Sequence, residues 1–243
     1  TQGVSSAASD VYKRQGYMKI LKNIGFVVLF LCIFTSPICY SHTFANNLSG
    51  TKVESNIQTS DLQTQKKITI LDTLAKENLI LTEVKKLRKN EQEDVVCLAL
   101  NMYHENRGSS IEDRIASTYV VFNRQFDKPN KSLCDVIFEK WQFCWTNNTK
   151  ISVPKELKIW NEIQQDAYKM YKNPKFKTLA SQFRLKHYVA TYMIPMKTKP
   201  KWIDKRYFKI DIGKHSYISL NKDDVKYQQT LMTVSYTHLT LPT

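Results

Sequence analysis

Glu105 is a carboxylate whose place in the chain invites chemistry. It follows Met102 by three residues and Leu98 by seven, a spacing that puts it on the apolar face of a helix. Gly108 follows closely and reads as the helix's C-terminal cap. The acid therefore falls in the last turn, where the helix dipole is negative. Desolvation and the dipole both disfavour the anion, so a carboxyl pKa above the ordinary glutamate range is expected. An acid that keeps its proton near neutrality is what general-acid catalysis needs. Spacing alone leaves a second reading open, in which Glu105 simply pairs with Arg107.

Other chemistries are weaker. His104-Glu105 begins like a zinc-protease HExxH, but Gly108 occupies the place of the second histidine and breaks the pattern. His104, His187 and His215 form no known ligand spacing, so neither a metal nor another cofactor is expected. A Cys144/His187 nucleophile pair lacks supporting geometry. Cys97, Cys134 and Cys144 allow three disulfide pairings, with a reduced trio as the alternative. The favoured pair is Cys97–Cys134, separated by 37 residues, a closure worth roughly 3–4 kcal/mol.

The elements that must position these residues can be read from periodicity. With 243 residues, 42% hydrophobic, and few glycines and prolines, the chain can bury a core, which excludes wholesale disorder and low-complexity classes. The opening residues, through SAASDVYKRQ, and the closing VSYTHLTLPT (234–243) resemble translated adapter sequence, and 1–17 is set aside with them. Residues 18–45 read as a secretory signal peptide or signal-anchor: Lys19 and Lys22 precede the apolar run IGFVVLFL, and Thr43-Phe44-Ala45 offers a cleavage site. Cys32 and Cys39 leave with it. Residues 46–92 read as a polar linker (46–66) followed by an amphipathic helix with Ile68, Leu71, Leu74, Leu81, Val84 and Leu87 on one face. The compact unit spans 93–222, with a tail at 223–233.

Within that unit, one helix runs from Val95 through Met102 toward Gly108. A second starts at Ser110, with Asp113 in capping-box position, and carries Ile115, Tyr119, Phe122 and Phe126. A third follows Ser152 and Pro154 through Trp160, Ile163, Ala167 and Tyr171, and Pro174 closes it. Trp141 and Trp160 are assigned to the core. Short strands are expected around Gly213, at Tyr207–Asp211 and Ser216–Ile218. The fold class is α+β, mainly helical, with a small C-terminal β element.

Lys and Arg number 36 against 22 Asp and Glu, a net charge of +14. Residues 168–214 hold 13 basic and 2 acidic residues, and the remainder of 46–233 sums to neutral. Such a stretch suits a polyanion. For an exported chain, anionic wall polymers or a membrane surface are the natural partners, and no specific nucleic acid is expected. A merely soluble basic face remains the bland alternative.

The strings CLALNMYHENRGSSIEDRIASTYVVFNR and LCDVIFEKWQFCW resemble the SleB-type cell wall hydrolases, the family of spore cortex-lytic enzymes. The likeness covers 94–146 and continues through HYVATY (187–192), Pro200-Lys201-Trp202 and IGKHSY (212–217). It implies a lysozyme-like fold and cleavage of the peptidoglycan glycan backbone. The family's Tyr-His-Glu-Ala-Arg-Gly-Glu motif reads Tyr103-His104-Glu105-Asn106-Arg107-Gly108-Ser109 here, which carries the catalytic role onto Glu105. Gln142-Phe143-Cys144-Trp145 matches Gln-Phe-Ser-Trp and implies that Gln142 and Trp145 lie near the cleft. His187, Tyr188, Trp202 and His215 match later motifs. Tyr103, Trp145, Tyr188 and Trp202 are candidate stacking rings for sugar, although core packing suits Tyr103 equally. The departures are Ser109 for the second glutamate, Asn106 for alanine, Cys144 for serine and Val189 for a second histidine.

Ordinary glycosidases use two carboxylates. With Ser109 in place, the nearest others are Glu112 and Asp113, both read as electrostatics of the next helix's first turn. One glutamate suffices for a lytic transglycosylase acting between N-acetylmuramic acid and N-acetylglucosamine. The expectation is thus an exported, monomeric enzyme of the periplasm, cell wall or extracellular space. The alternatives are a non-catalytic peptidoglycan-binding or wall-assembly protein and a phage endolysin.

Overall fold

The computed structural model describes residues 52–223, with side chains from Asp61 onward. The chain divides into two units, Thr1–Tyr40 and Ser41–Thr243, and the description concerns the second. The expected signal segment at 18–45, both adapter-like ends and most of the 223–233 tail lie outside the described residues. The architecture is mainly helical α+β, as expected: helices come first and a small three-stranded antiparallel sheet follows.

Helix α1 (Lys52–Lys76) corrects the linker reading from residue 52 onward. Its polar composition is that of a helix seated by one narrow stripe. From Asp61 to Lys76 the buried positions are Gln63, Ile70 and Leu74, while Ile68 is exposed. Tertiary contacts make up for the thin stripe: Lys67 pairs with Asp135 at 2.6 Å, and Lys66 Nζ donates to the Thr146 carbonyl at 3.3 Å.

The helix expected over 68–89 is broken. Asn78 adopts a left-handed φ of 55°, and the Leu79 N–H returns to the Leu74 carbonyl at 2.9 Å, a C-terminal closure. The wide gap between Leu74 and Leu81 in the apolar pattern marks that break. A single turn, α2 (Thr82–Lys85), leads into α3 (Lys89–Asn106).

Every residue of α3 from Val95 to Tyr103 is buried, as befits a helix enclosed on all sides. Around it pack α4 (Ile111–Phe126), α5 (Leu133–Phe138) and α6 (Leu157–Lys172). Cys97 on α3 is joined by a disulfide to Cys134 on α5, with Cα atoms 5.2 Å apart. Gly108 has no left-handed backbone, so it is not the cap that the sequence suggested. A Cβ there would meet Lys214 Nζ at 3.3 Å.

Ser110 caps α4 by accepting the Asp113 N–H at 3.4 Å. Ile115, Tyr119 and Phe122 are buried along it, whereas Phe126 at its end is exposed. Helix α6 starts at Leu157 without a side-chain cap. Its approach is fixed instead by the Tyr103 hydroxyl, which accepts the N–H groups of Lys155 (3.1 Å) and Glu156 (3.2 Å). Pro174 stops α6 by opening α7 (Pro174–Phe183), where Asn173 accepts the Lys175 N–H at 2.9 Å; proline suits a first helical position. Trp160 is fully buried, but Trp141 is 45% exposed and held at φ 68°, so it does not belong to the core.

The sheet runs β1 (His187–Ala190), β3 (His215–Ser219), β2 (Phe208–Ile212) in spatial order. β2 and β3 are the two strands expected around Gly213, which has φ 59°. β1 was not anticipated. The central strand, β3, is buried throughout. Its register sets Tyr188 opposite Tyr217 and Ala190 opposite His215.

Candidate active site

Three elements meet at the end of α3. The last turn of α3 carries Glu105, β1 and β3 bring Tyr188, His215 and Tyr217, and α4 supplies Arg124 and Asp113. The convergence is enforced by α4. Asn123 Nδ2 donates to the Leu185 carbonyl (3.2 Å) and Arg124 Nε to the Lys186 carbonyl (2.9 Å), which pins the lead into β1. Arg124 Nη1 donates to the Gln142 carbonyl at 3.1 Å, and the guanidinium lies 4.8 Å above the Phe143 ring.

Glu105 is half-buried. Burial pushes its carboxyl above the usual glutamate range. The His215 ring, the Tyr188 hydroxyl and the Arg124 guanidinium partly offset that rise. The Tyr188 hydroxyl is itself buried and without a full hydrogen bond; it interacts with Glu105 and Asn101. Burial, with the Glu105 carboxyl beside it, holds the Tyr188 phenol well above 10. Burial therefore works against the anion at both groups.

Asp113 does not serve the helix N-terminus as its position suggested. Its side chain is fully buried and turned into β3. Both carboxylate oxygens receive His215 Nδ1, at 3.0 and 2.9 Å. The Tyr217 hydroxyl donates to Oδ1 at 2.6 Å and the Lys214 N–H to Oδ2 at 3.1 Å. Burial alone would raise this carboxyl, but the hydrogen bonds from His215 and Tyr217 and the electrostatic pull of the His215 ring carry it below the usual range. Glu112 alone remains as the first-turn acid, held low by Ser110.

The other expected site residues divide. His187 lies 5.4 Å from the Trp202 ring, and burial, Arg124 and Lys186 lower its pKa to about 4. Gln142 contributes its carbonyl to Arg124. Tyr103 and Trp145 belong to the core, at 5% and 6% exposure, so neither presents a face for sugar. Tyr103 packs edge-on against Trp160. Trp145 donates Nε1–H to Asn101 Oδ1 at 3.0 Å and stacks on His104 at 4.7 Å. Burial and Arg107 bring the His104 pKa to about 4, so that ring is neutral packing. Arg107 pairs with Glu156 at 3.6 Å rather than with Glu105.

Sequence reasoning missed Arg124, Asp113 and Tyr217. Asp113 and Tyr217 lie in segments whose local pattern gives only a helix start and a strand. Arg124 offered no local signal, because its meaning comes from carbonyls distant in the chain.

A family model described as Cell Wall Hydrolase matches residues 108–218. The matched span holds Asp113, Arg124, Tyr188, His215 and Tyr217, and it begins three residues beyond Glu105. No curated protein and no solved structure matches the chain at a significant level.

Proposed function

The chain belongs to the cell wall hydrolase family through residues 108–218, and from that premise we propose that it cleaves the peptidoglycan glycan strand with Glu105 as both acid and base. The observation that carries this reading is a half-buried carboxyl at a helix C-terminus, raised by desolvation and faced by Tyr188, Arg124 and His215. In its protonated form Glu105 gives its proton to the glycosidic oxygen as the bond to the muramoyl C1 breaks. The carboxylate then takes the proton of the muramoyl C6 hydroxyl, whose oxygen closes onto C1. The product is a 1,6-anhydro end, formed without water. Arg124 steadies the carboxylate between the two transfers.

A single working carboxylate fits the site. Asp113 is fully buried against His215 and Tyr217, so it has no open face for a nucleophilic role. Export, a lysozyme-like fold and attraction of the basic 168–214 stretch to anionic wall polymers belong to the same proposal. The test is digestion of purified peptidoglycan followed by mass spectrometry of the soluble muropeptides. Anhydromuramoyl ends are the expected product. Reducing muramic ends would replace transglycosylation with hydrolysis. Retention on the wall with no release would point to a binding protein.

A further inference from the structure

The Asp113–His215 pair is more elaborate than a link between α4 and the sheet requires. Asp113 is fully enclosed, and four groups converge on its side chain or main chain: His215 Nδ1, the Tyr217 hydroxyl, the Lys214 N–H and the Ser110 cap. Gly213 permits this closeness. A Cβ at that position would fall 2.8 Å from both Cβ and Oδ2 of Asp113, at a left-handed φ of 59°. A carboxylate held below its usual range accepts and does not donate, so His215 Nδ1 must carry the proton. Nε2 is then the nitrogen left without a proton. The Asn106 amide nitrogen lies 3.3 Å from the same Nδ1 while its Oδ1 has no hydrogen-bond partner, so an Nδ1–H ring calls for the flipped amide, with Oδ1 accepting.

His215 in turn lies close enough to Glu105 to act on its carboxyl. The Tyr188 ring stands 5.2 Å from the imidazole and the Tyr217 ring 6.4 Å from it. The groups around Glu105 and His215 are therefore Asp113 and Arg124 from α4, Asn106 from α3, Tyr188 from β1 and Tyr217 from β3.

We infer that Asp113 is a positioning residue for the proposed reaction: it acts through His215, fixing the imidazole as its Nδ1–H tautomer with Nε2 presented to Glu105, and so tunes how readily Glu105 gives up and regains its proton. This rests on the acid–base role proposed for Glu105. The arrangement resembles other carboxylate–imidazole pairs, in which a buried acid fixes the tautomer and orientation of a working ring. It supplies this single-glutamate site with a second carboxylate that never touches the substrate.

The experiment compares the full chain with D113N, H215Q, the D113N/H215Q double variant and E105Q. It follows muropeptide release across pH, melting temperature and the histidine ring nitrogen spectra of labelled protein. In the parent, His215 should show the Nδ1–H pattern, and D113N should lose it. D113N and H215Q should each lower kcat by roughly tenfold or more with KM nearly unchanged. The alkaline limb of the rate profile should move to higher pH, because the His215 interaction that favours ionised Glu105 is weakened or gone. The double variant should be no worse than H215Q, since Asp113 works through the ring. Activity that falls only in step with the melting temperature, with an unmoved limb, or fully additive losses, would make Asp113 structural and overturn the inference. Should D113N fail to fold, H215Q alone decides by the limb. A parental Nε2–H tautomer overturns it even if Glu105 is the acid. Parental activity in E105Q would instead sink the role of Glu105, with the tautomer result still standing on its own.

Discussion

Glu105 does its proposed work only while it holds a proton, and its surroundings set the pH at which that ends. Burial is the main influence raising its carboxyl, and the Tyr188 hydroxyl is one of three groups opposing it. Removing that hydroxyl in Y188F takes away a donor that favours the anion. The alkaline limb of the rate profile should move upward in pH, with a loss of about tenfold in kcat from poorer charge stabilisation. A rate–pH series on purified peptidoglycan reads both. At this scale the sequence was half legible. A carboxylate on the apolar side of a helix end can be seen from a few residues, and so can the expectation of a raised pKa. Asp113 could not be understood in that way, because its partner His215 lies 102 residues away. Local capping logic explained the Asp113 N–H and missed the side chain. Tyr103 and Trp145 failed for a related reason: a motif marks an aromatic as important without saying which face water reaches.

Among the elements, the β2–β3 hairpin carries the tightest constraint. Gly213 sits where a side chain would strike Asp113 and where φ is left-handed. G213A should therefore lose about 1–2 kcal/mol of stability from the backbone alone, and more from the contact. It should also lose activity, because relief of the clash displaces the Asp113 carboxylate from His215. Melting curves and turbidity assays on the same preparation check the two effects together. The disulfide makes a second case. It ties the buried middle of α3 to α5 across 37 residues, so C97A/C134A should lower unfolding free energy by roughly 3–4 kcal/mol, measured by denaturant titration at constant m-value. Helices α3, α4 and α6 were legible because their apolar residues recur every three or four positions, with Ser110 marking the start of α4; α5 and α7 were not read, and Pro174, taken only as the end of α6, also opens α7. The four residues of β1 were not: too short to show alternation, they are strand only because β3 lies beside them. Helix α1 escaped notice because its buried stripe is sparse and Lys67–Asp135 supplies what the stripe lacks.

Across the whole molecule, two neutral histidines link stability to pH. His104 and His187 both have pKa values brought down from 6.5 to about 4, chiefly by burial. The unfolded chain binds protons at these rings below pH 6.5 while the folded chain does not, so the unfolded state gains as pH falls. Stability from this source is complete above pH 6.5 and is lost progressively down to about 4. The melting temperature should drop across that window, and less steeply in H187Q than in the parent. Glu105 acts in the opposite sense. Its raised carboxyl stabilises the folded chain most where it is protonated and costs stability as pH rises and the anion forms. Its glutamine variant should accordingly be at least as stable as the parent at neutral pH. That makes the decisive measurement clean: the rate at which folded E105Q, matched to the parent by melting curve, releases muropeptides from purified peptidoglycan. A fall of about 100-fold or more is expected; release at the parental rate would contradict the acid–base role of Glu105.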